Sequence, residues 1–411
     1  MAFGDNASDK PLREAWQLFC RQLEAAGERV FKDYNPATPL HRADAFRFLT
    51  QNLGQAFDLA LETRDPRYPA LHPFCTPSRK LGSDAADLVY LQAWLDGESV
   101  YRVYGNRGTA RFINFTLQGQ RPDTQPGTDI PSLHDPFGDI PEANLFGHQL
   151  ETEADGSFEL FIGGPERGPN WLPTTPATRK LFLRQGFDRW DELPARLNIE
   201  RIDMVDPRPL PGPDTVIEAM DWAGRFVVAL MDDWPDHPYH YSPLVDPDNV
   251  NRFPGGTGGA PGQDDQRRGR AVAHMCWQLK ATEALIIEFD SHQDFWMLSN
   301  MGVFFNSMDY LYRPVSYTPA RTAVDSDGKI RLVMCRQDPG YHNRLDTQGF
   351  ERGNLTYRNL LSKDATVFQT QRLDMADLPG AMPADAAVVS PEQRVAQMKT
   401  RFDSIRRRYG G

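Results

Sequence analysis

The chain has 411 residues and a formal net charge of −11, from 45 Lys and Arg against 56 Asp and Glu. This balance argues against nucleic acid or an anionic membrane as a partner. The charged fraction of 25% is ordinary for a globular protein, and a chain of this length removes about three quarters of its unfolded surface on folding, so a large core is expected and disorder throughout is not.

No stretch approaches the ~18 uninterrupted apolar residues of a membrane-spanning helix. The opening Met1-Ala2-Phe3-Gly4-Asp5-Asn6 has neither the basic nor the apolar region of a signal peptide. Cys20, Cys75, Cys276 and Cys335 are scattered and form no CxxC pair, which fits a reducing compartment. The expected location is cytoplasmic.

The first elements read as helices. Leu12, Ala15, Trp16, Phe19, Leu23, Ala26 and Val30 keep a 3.6-residue period, and Thr38-Pro39 is a start signal for a second stripe, Phe46, Leu49, Leu53, Phe57 and Leu61. Asp65 to Pro77, with four prolines, reads as an extended connection. From Leu88 the period becomes two. Val89–Trp94 and Val100–Tyr104 flank Asp96-Gly97, a hairpin-type turn signal, and further strands are expected at Arg111–Gln118, Ser157–Ile162, Leu181–Arg184 and Leu197–Ile202.

A helix starting at Gly212-Pro213-Asp214 follows, with Val216, Ile217, Met220, Ala223, Val227 and Leu230 as its apolar stripe. Strands resume at Met275–Leu279, Ala284–Phe289, Phe295–Leu298 and Lys329–Cys335, the last after a second hairpin signal, Asp327-Gly328. Ser390 and Gln393 have capping-box spacing at the start of a final helix, whose buried stripe is expected to be Val395, Met398, Phe402 and Ile405. Its Arg401, Arg406, Arg407 and Arg408 read as cations complementing the helix dipole.

The expected fold class is therefore mostly β with helical additions (α+β), an antiparallel sandwich or barrel. The chain divides into a helical segment (1–80), a first β-rich lobe (81–210), a helix with a Gly-rich loop (211–270) and a second β-rich lobe with the C-terminal helix (271–411), all in one compact unit. No internal repeat of fixed short period is visible.

Several segments gather chemistry. Gly255 to Gly262 lacks the Lys-Ser/Thr of a phosphate loop and reads as a surface loop, and Asn251–Arg270 is expected to be mobile. His237 and His240 have a spacing that suits a metal, but Pro235 and Pro238 disfavour a regular helix there and further ligands are missing, so no metal and no cofactor is expected. Glu288 and Asp290 share a strand face near His292 and Asp294, either as an acid–base cluster or as ordinary surface charges. The densest group follows a strand end: Asp338-Pro339-Gly340 turns the chain into His342, Asn343 and Asp346. His, Asn and carboxylate suffice for proton transfer and oxygen polarisation. Asn and Asp also staple loops through side-chain hydrogen bonds.

These residues resemble the bacterial domain-of-unknown-function 1214 family over most of the chain from Leu81. The elements are Gly105, Arg107 and Gly108, then Asn170-Trp171-Leu172, then Trp277, Leu279, Glu283, Ala284 and Leu285, then Asp338-Pro339-Gly340, His342-Asn343, Leu345-Asp346-Thr347, Gly349, Gly353 and Arg358. The resemblance implies a β-rich, jelly-roll-like structure and a bacterial catabolic setting, with no settled reaction. Two departures are Ala85-Ala86-Asp87, where the family has Asn-Pro-Asp, and Arg344, where it has Trp after His-Asn.

The leading functional expectation is metal-independent proton transfer on an apolar or aromatic small molecule, with His342, Asp346 and Glu288 catalytic and Asn343, Arg358, Asn170 and Trp171 binding substrate. His342 and Asp346 are expected to face one cavity. The supply of 24 Phe, 13 Tyr and 8 Trp suits an aromatic pocket. The alternatives are a non-catalytic ligand-binding protein and an oligomeric structural jelly roll, with a homo-oligomer left open as the partner.

Overall fold

The computed structural model describes residues 6–33, 35–120, 139–240, 249–253, 257–258, 271–291, 294–361 and 365–410, with the side chains of 233–240, 257–258 and 271 outside that description. Two helices open the chain, α1 (Asp9–Glu28) and α2 (Pro39–Phe57). Thr38 caps α2 by accepting a hydrogen bond from the His41 amide, as Thr-Pro at N-cap and N1 requires.

The first lobe is a pair of sheets. One, in the order β1-β2-β8-β4-β5, joins β1 (His72–Cys75), β2 (Leu88–Trp94), β4 (Phe112–Gly119), β5 (Ile140–Phe146) and β8 (Thr178–Gly186). The other, β7-β6-β3-β9, joins β3 (Tyr101–Asn106), β6 (Ser157–Ile162), β7 (Trp171–Leu172) and β9 (Arg196–Arg201). Val103, Phe115, Leu117, Leu160, Leu181 and Leu183 fill the space between them. The Asp65–Pro77 connection thus contains a strand, because β1 finds the free edge of β2.

Asp96-Gly97 does turn the chain, but β2 and β3 do not pair: they belong to opposite sheets. The turn is pressed onto the segment before β8, so closely that a Cβ on Gly97 would lie 1.9 Å from the Thr175 carbonyl oxygen. The chain leaves this turn across the sandwich instead of back along it.

Helix α3 (Pro213–His240) leads to the second lobe and runs through Pro235 and Pro238, contrary to the break expected there. Its backbone is helical, so each proline removes one intrahelical donor near the end of the helix, where the loss disrupts fewest bonds. A two-residue strand, β10 (Thr257–Gly258), pairs with β18 (Thr366–Val367). The second lobe has sheets β11-β17-β13-β14 and β16-β15-β12-β19, built from β11 (Ala271–Gln278), β12 (Glu283–Asp290), β13 (Trp296–Met301), β14 (Ser316–Tyr317), β15 (Lys329–Cys335), β16 (Arg344–Asp346), β17 (Arg352–Asn359) and β19 (Gln369–Asp374). Trp277, Leu285, Ile287, Trp296, Leu332 and Tyr357 form its core. Asp327-Gly328 also turns without making a hairpin, since β15 pairs with β12 and β16.

The two lobes repeat one topology. The order β2-β8-β4-β5 returns as β11-β17-β13-β14, and β7-β6-β3-β9 as β16-β15-β12-β19. Each also has one parallel pair, β6–β7 and β15–β16, among otherwise antiparallel ladders of the described residues. The protein is thus mostly β, two jelly-roll-like sandwiches with helical additions.

Helices α1, α2 and α3 share one core with the outer faces of both lobes, through Leu88, Tyr90 and Trp94 from β2 and Met297 and Met301 from β13. A single-turn helix α4 (Leu378–Ala381) and the C-terminal helix α5 (Pro391–Arg408) complete the chain. The Ser390–Gln393 capping box forms in full. The buried stripe of α5 differs from expectation. Ile405 is buried and Met398 and Phe402 are half-buried, but Val395 is 69% exposed, while Arg394, Arg401, Ser404 and Arg408 face inward.

Candidate ligand-binding site between the lobes

The sequence-derived site residues do not form one site. Asn170 and Asn343 occupy the same place in the two repeats, one residue before the first position of the short parallel strand. Asn170 Nδ2 donates to the carbonyls of Glu151 and Glu159, and its Oδ1 accepts from the Glu151 amide. Asn343 Nδ2 donates to the carbonyls of Ala323 and Arg331, and its Oδ1 accepts from the Ala323 amide. Three of the side chain's hydrogen-bonding positions lock a loop to a strand in each case, so both asparagines act as staples, and Asn170 also lines a separate open cavity of about 970 Å³ in the first lobe. Trp171 donates its indole N–H to the Gly163 carbonyl in the first lobe, and so is held by backbone as well.

Glu288 is neutralised by Lys329 and by Arg331, whose Nε lies 2.8 Å away. His292 falls outside the described residues, as do the His237 and His240 side chains and most of Asn251–Arg270. Arg358 is 1% exposed on β17 and donates to the Ser83 hydroxyl at 2.9 Å. Asp346 is buried with Arg344 at 3.2 Å and Arg313 at 3.1 Å, and accepts from the Gln348 amide.

His342 alone of these residues lines the cavity of about 380 Å³ in which three parts of the chain meet. Trp190, four residues past β8, comes from the first lobe; Ser316, Tyr317 and Arg321 come from the second; Gln397, Met398 and Arg401 come from α5. The expected common cavity for His342 and Asp346 is therefore not formed. β16 continues from Arg344 beside β15, and that pairing draws Asp346 into the sheet and away from the cavity.

The hydrogen bonds around His342 determine its tautomer. Arg394 donates to Gln397 Oε1 at 2.9 Å, which fixes the amide so that its NH₂ faces His342 Nδ1 at 3.2 Å. Nδ1 is then the acceptor, and the ring proton sits on Nε2, 3.3 Å from the Arg321 carbonyl. Burial lowers the pKa of His342 and Arg394 adds to this, against the pull of the Arg321 carbonyl. The imidazole is neutral at neutral pH and both nitrogens are engaged, which leaves no free lone pair to take a proton from a substrate.

Behind the cavity lies a group that the sequence reading placed elsewhere. Asp87, fully buried, holds Arg321 at 2.8 Å and Arg408 at 3.6 Å. The contact is one of charge, since neither Asp87 oxygen meets hydrogen-bond alignment with a described residue. Burial opposes ionisation of Asp87, but Arg321, Arg408 and Arg401 together outweigh it and hold its pKa at about 2. Burial lowers Arg401 and Arg408 to about 10, so both stay protonated.

The guanidinium of Arg321 stacks over Trp190 at 4.0 Å, with that of Arg401 at 4.9 Å, and Arg408 lies over Phe187 at 4.2 Å. A signal for these residues exists in the chain: Arg394, Arg401 and Arg408 recur every seven residues, a spacing that keeps them within about 20° per step on one helix face.

Among the described residues no three His, Cys, Asp or Glu side chains group as metal ligands, and no helix is long and apolar enough to cross a membrane. All four cysteines are free. No family model matches the chain, and no curated protein does. Among solved structures, it is similar to an uncharacterized protein from Burkholderia cenocepacia, with 28% identity and a TM-score of 0.78 over 90% of this chain and 99% of that one. The VPA0106 protein from Vibrio parahaemolyticus is more distant, at 10% identity and a TM-score of 0.42 over 86% of this chain and 100% of that one.

Proposed function

We propose that the protein binds a small molecule with a flat apolar group in the cavity between its lobes, as a ligand-binding protein rather than a proton-transfer catalyst. The observation that carries this is the engaged state of His342, the one sequence-derived acid–base candidate in the cavity. Its two nitrogens are held by Gln397 and the Arg321 carbonyl, so the imidazole is part of the wall. Trp190 and Tyr317 supply aromatic surface, and a volume of about 380 Å³ is at the small end of the range for small-molecule sites.

The test uses three one-ring probes, benzoate, benzamide and benzyl alcohol, titrated while the unfolding temperature is followed. Saturable stabilisation by at least one probe is expected. It should disappear in Met398→Trp, which fills the cavity from α5. No stabilisation by any probe, or binding unchanged in Met398→Trp, overturns the reading.

A further inference from the structure

The charges around the cavity do not balance. Arg321, Arg401 and Arg408 converge on Asp87, giving three cations to one buried carboxylate. Of the other acidic groups nearby, Asp338 is paired with Arg394 at 2.9 Å, and Asp188 Oδ1 accepts from the Ala320 amide and keeps its charge. Tyr317 donates its hydroxyl proton to the carbonyls of His342 and Arg344 and contributes no charge.

The hydrogen bonds are incomplete as well. Arg321 uses Nε on the Thr318 hydroxyl, and Arg401 uses Nη1 and Nη2 on Ser316. Arg321 Nη1 and Arg401 Nε are buried with no hydrogen bond among the described residues. Both side chains line the cavity and are more than nine-tenths buried, at 6% and 2% exposure. Both arginines have partners, but three guanidiniums around one buried carboxylate leave excess positive charge beside open volume, which favours an anionic ligand.

We propose that the ligand carries a carboxylate that completes this arginine group, with its ring against Trp190. The inference rests on the binding reading above and names the ligand's chemical class. A carboxylate is planar and matches the guanidinium fork. The two arginines already lie over the Trp190 ring, so an acid group bound to them places an attached ring against the aromatic wall.

The discriminating comparison uses the wild-type protein and calorimetry with benzoate, its neutral amide benzamide, and inorganic phosphate. Benzoate should bind at least about tenfold more tightly than benzamide, the worth of one charge-assisted hydrogen bond. Arg401→Gln should remove that preference, and the wild-type comparison stands even if this variant folds poorly. Equal affinity for benzoate and benzamide overturns the carboxylate assignment and leaves the cavity as a ligand site. Phosphate binding as tightly as benzoate, with benzamide inert, reassigns the site to a phosphate group and also overturns it. Binding by none of the probes overturns this inference and the binding reading together.

Discussion

Replacement of Asp87 by Asn tests whether the arginine group depends on that one carboxylate. Two magnitudes follow from the structure. Asp87 has a pKa of about 2 against an ordinary 3.8, so its ionised form stabilises the fold by about 2 kcal/mol. The folded pKa is the lower one. This contribution is therefore complete above pH ~4 and is lost as pH falls through ~2. Substitution does more than remove this term: it leaves Arg321, Arg408 and Arg401 buried beside a neutral amide. Deleting one partner of a buried pair costs about 3–5 kcal/mol.

We therefore expect Asp87→Asn to lose about 3–5 kcal/mol at pH 7. The assay is urea unfolding followed by tryptophan fluorescence and by circular dichroism, whose agreement checks that the transition is two-state. The gap between the variant and the wild type should narrow between pH 4 and pH 2, as the wild-type carboxylate takes up its proton. A variant within 1 kcal/mol of wild type at pH 7, with a parallel pH curve, would refute the argument that Asp87 holds the group together.

His342→Asn should cost about 1–2 kcal/mol by breaking the contacts to Gln397 and the Arg321 carbonyl, with benzoate affinity changed less than fivefold by calorimetry; a hundredfold loss of affinity at unchanged stability would restore a direct functional role. Because the folded pKa of His342 is lowered, the unfolded chain binds more protons just below pH 6.5, so wild-type stability should rise with pH through that interval, and the Asn variant should show a smaller rise, kept by His41 and His72, which burial lowers as well. Asn343→Ala should cost about 2–3 kcal/mol and half-buried Asn170→Ala about 1 kcal/mol or less in urea unfolding, although each loses the same set of bonds; equal losses would show that burial does not separate them. Glu288→Gln should leave probe binding unaltered and cost about 1 kcal/mol, since its partners are partly solvated, and a loss of binding would place Glu288 back in the site.

Local features were legible in the sequence. Thr38-Pro39 and the Ser390–Gln393 box act within one helical turn, and both form as read. Pairing was not legible, because Asp96-Gly97 encodes a turn but not the partner of the strand that leaves it. That turn packs against Thr175, distant in sequence, and β3 leaves it for the other sheet, a pairing no local signal encodes. His342 was singled out and does line the cavity, but the residues that surround it were not found together. Arg401 and Arg408 looked like helix-end cations because an arginine face counts as polar in any apolar periodicity. Only the burial of Asp87, more than 300 residues earlier in the chain, makes that face an inner one.

The duplication also explains why related motifs separate into structure and site. The parallel registers align Phe161 with Trp171 in one lobe and Val333 with Arg344 in the other. Asn170-Trp171-Leu172 is thereby the counterpart of Asn343-Arg344-Leu345, and the shared Asn keeps the same three bonds in both lobes. A feature present in both copies serves the sandwich, since only one copy faces the cavity. The residue before the staple differs: Pro169 in the first lobe, His342 in the second. Proline lacks a backbone N–H, whereas His342 donates its amide to the Ala387 carbonyl and turns its ring to Gln397. The second copy thus gains a docking point for the segment that leads into α5, and α5 brings Arg401 to the cavity wall. Asymmetry between the repeats, more than any motif they share, marks where the candidate ligand site lies.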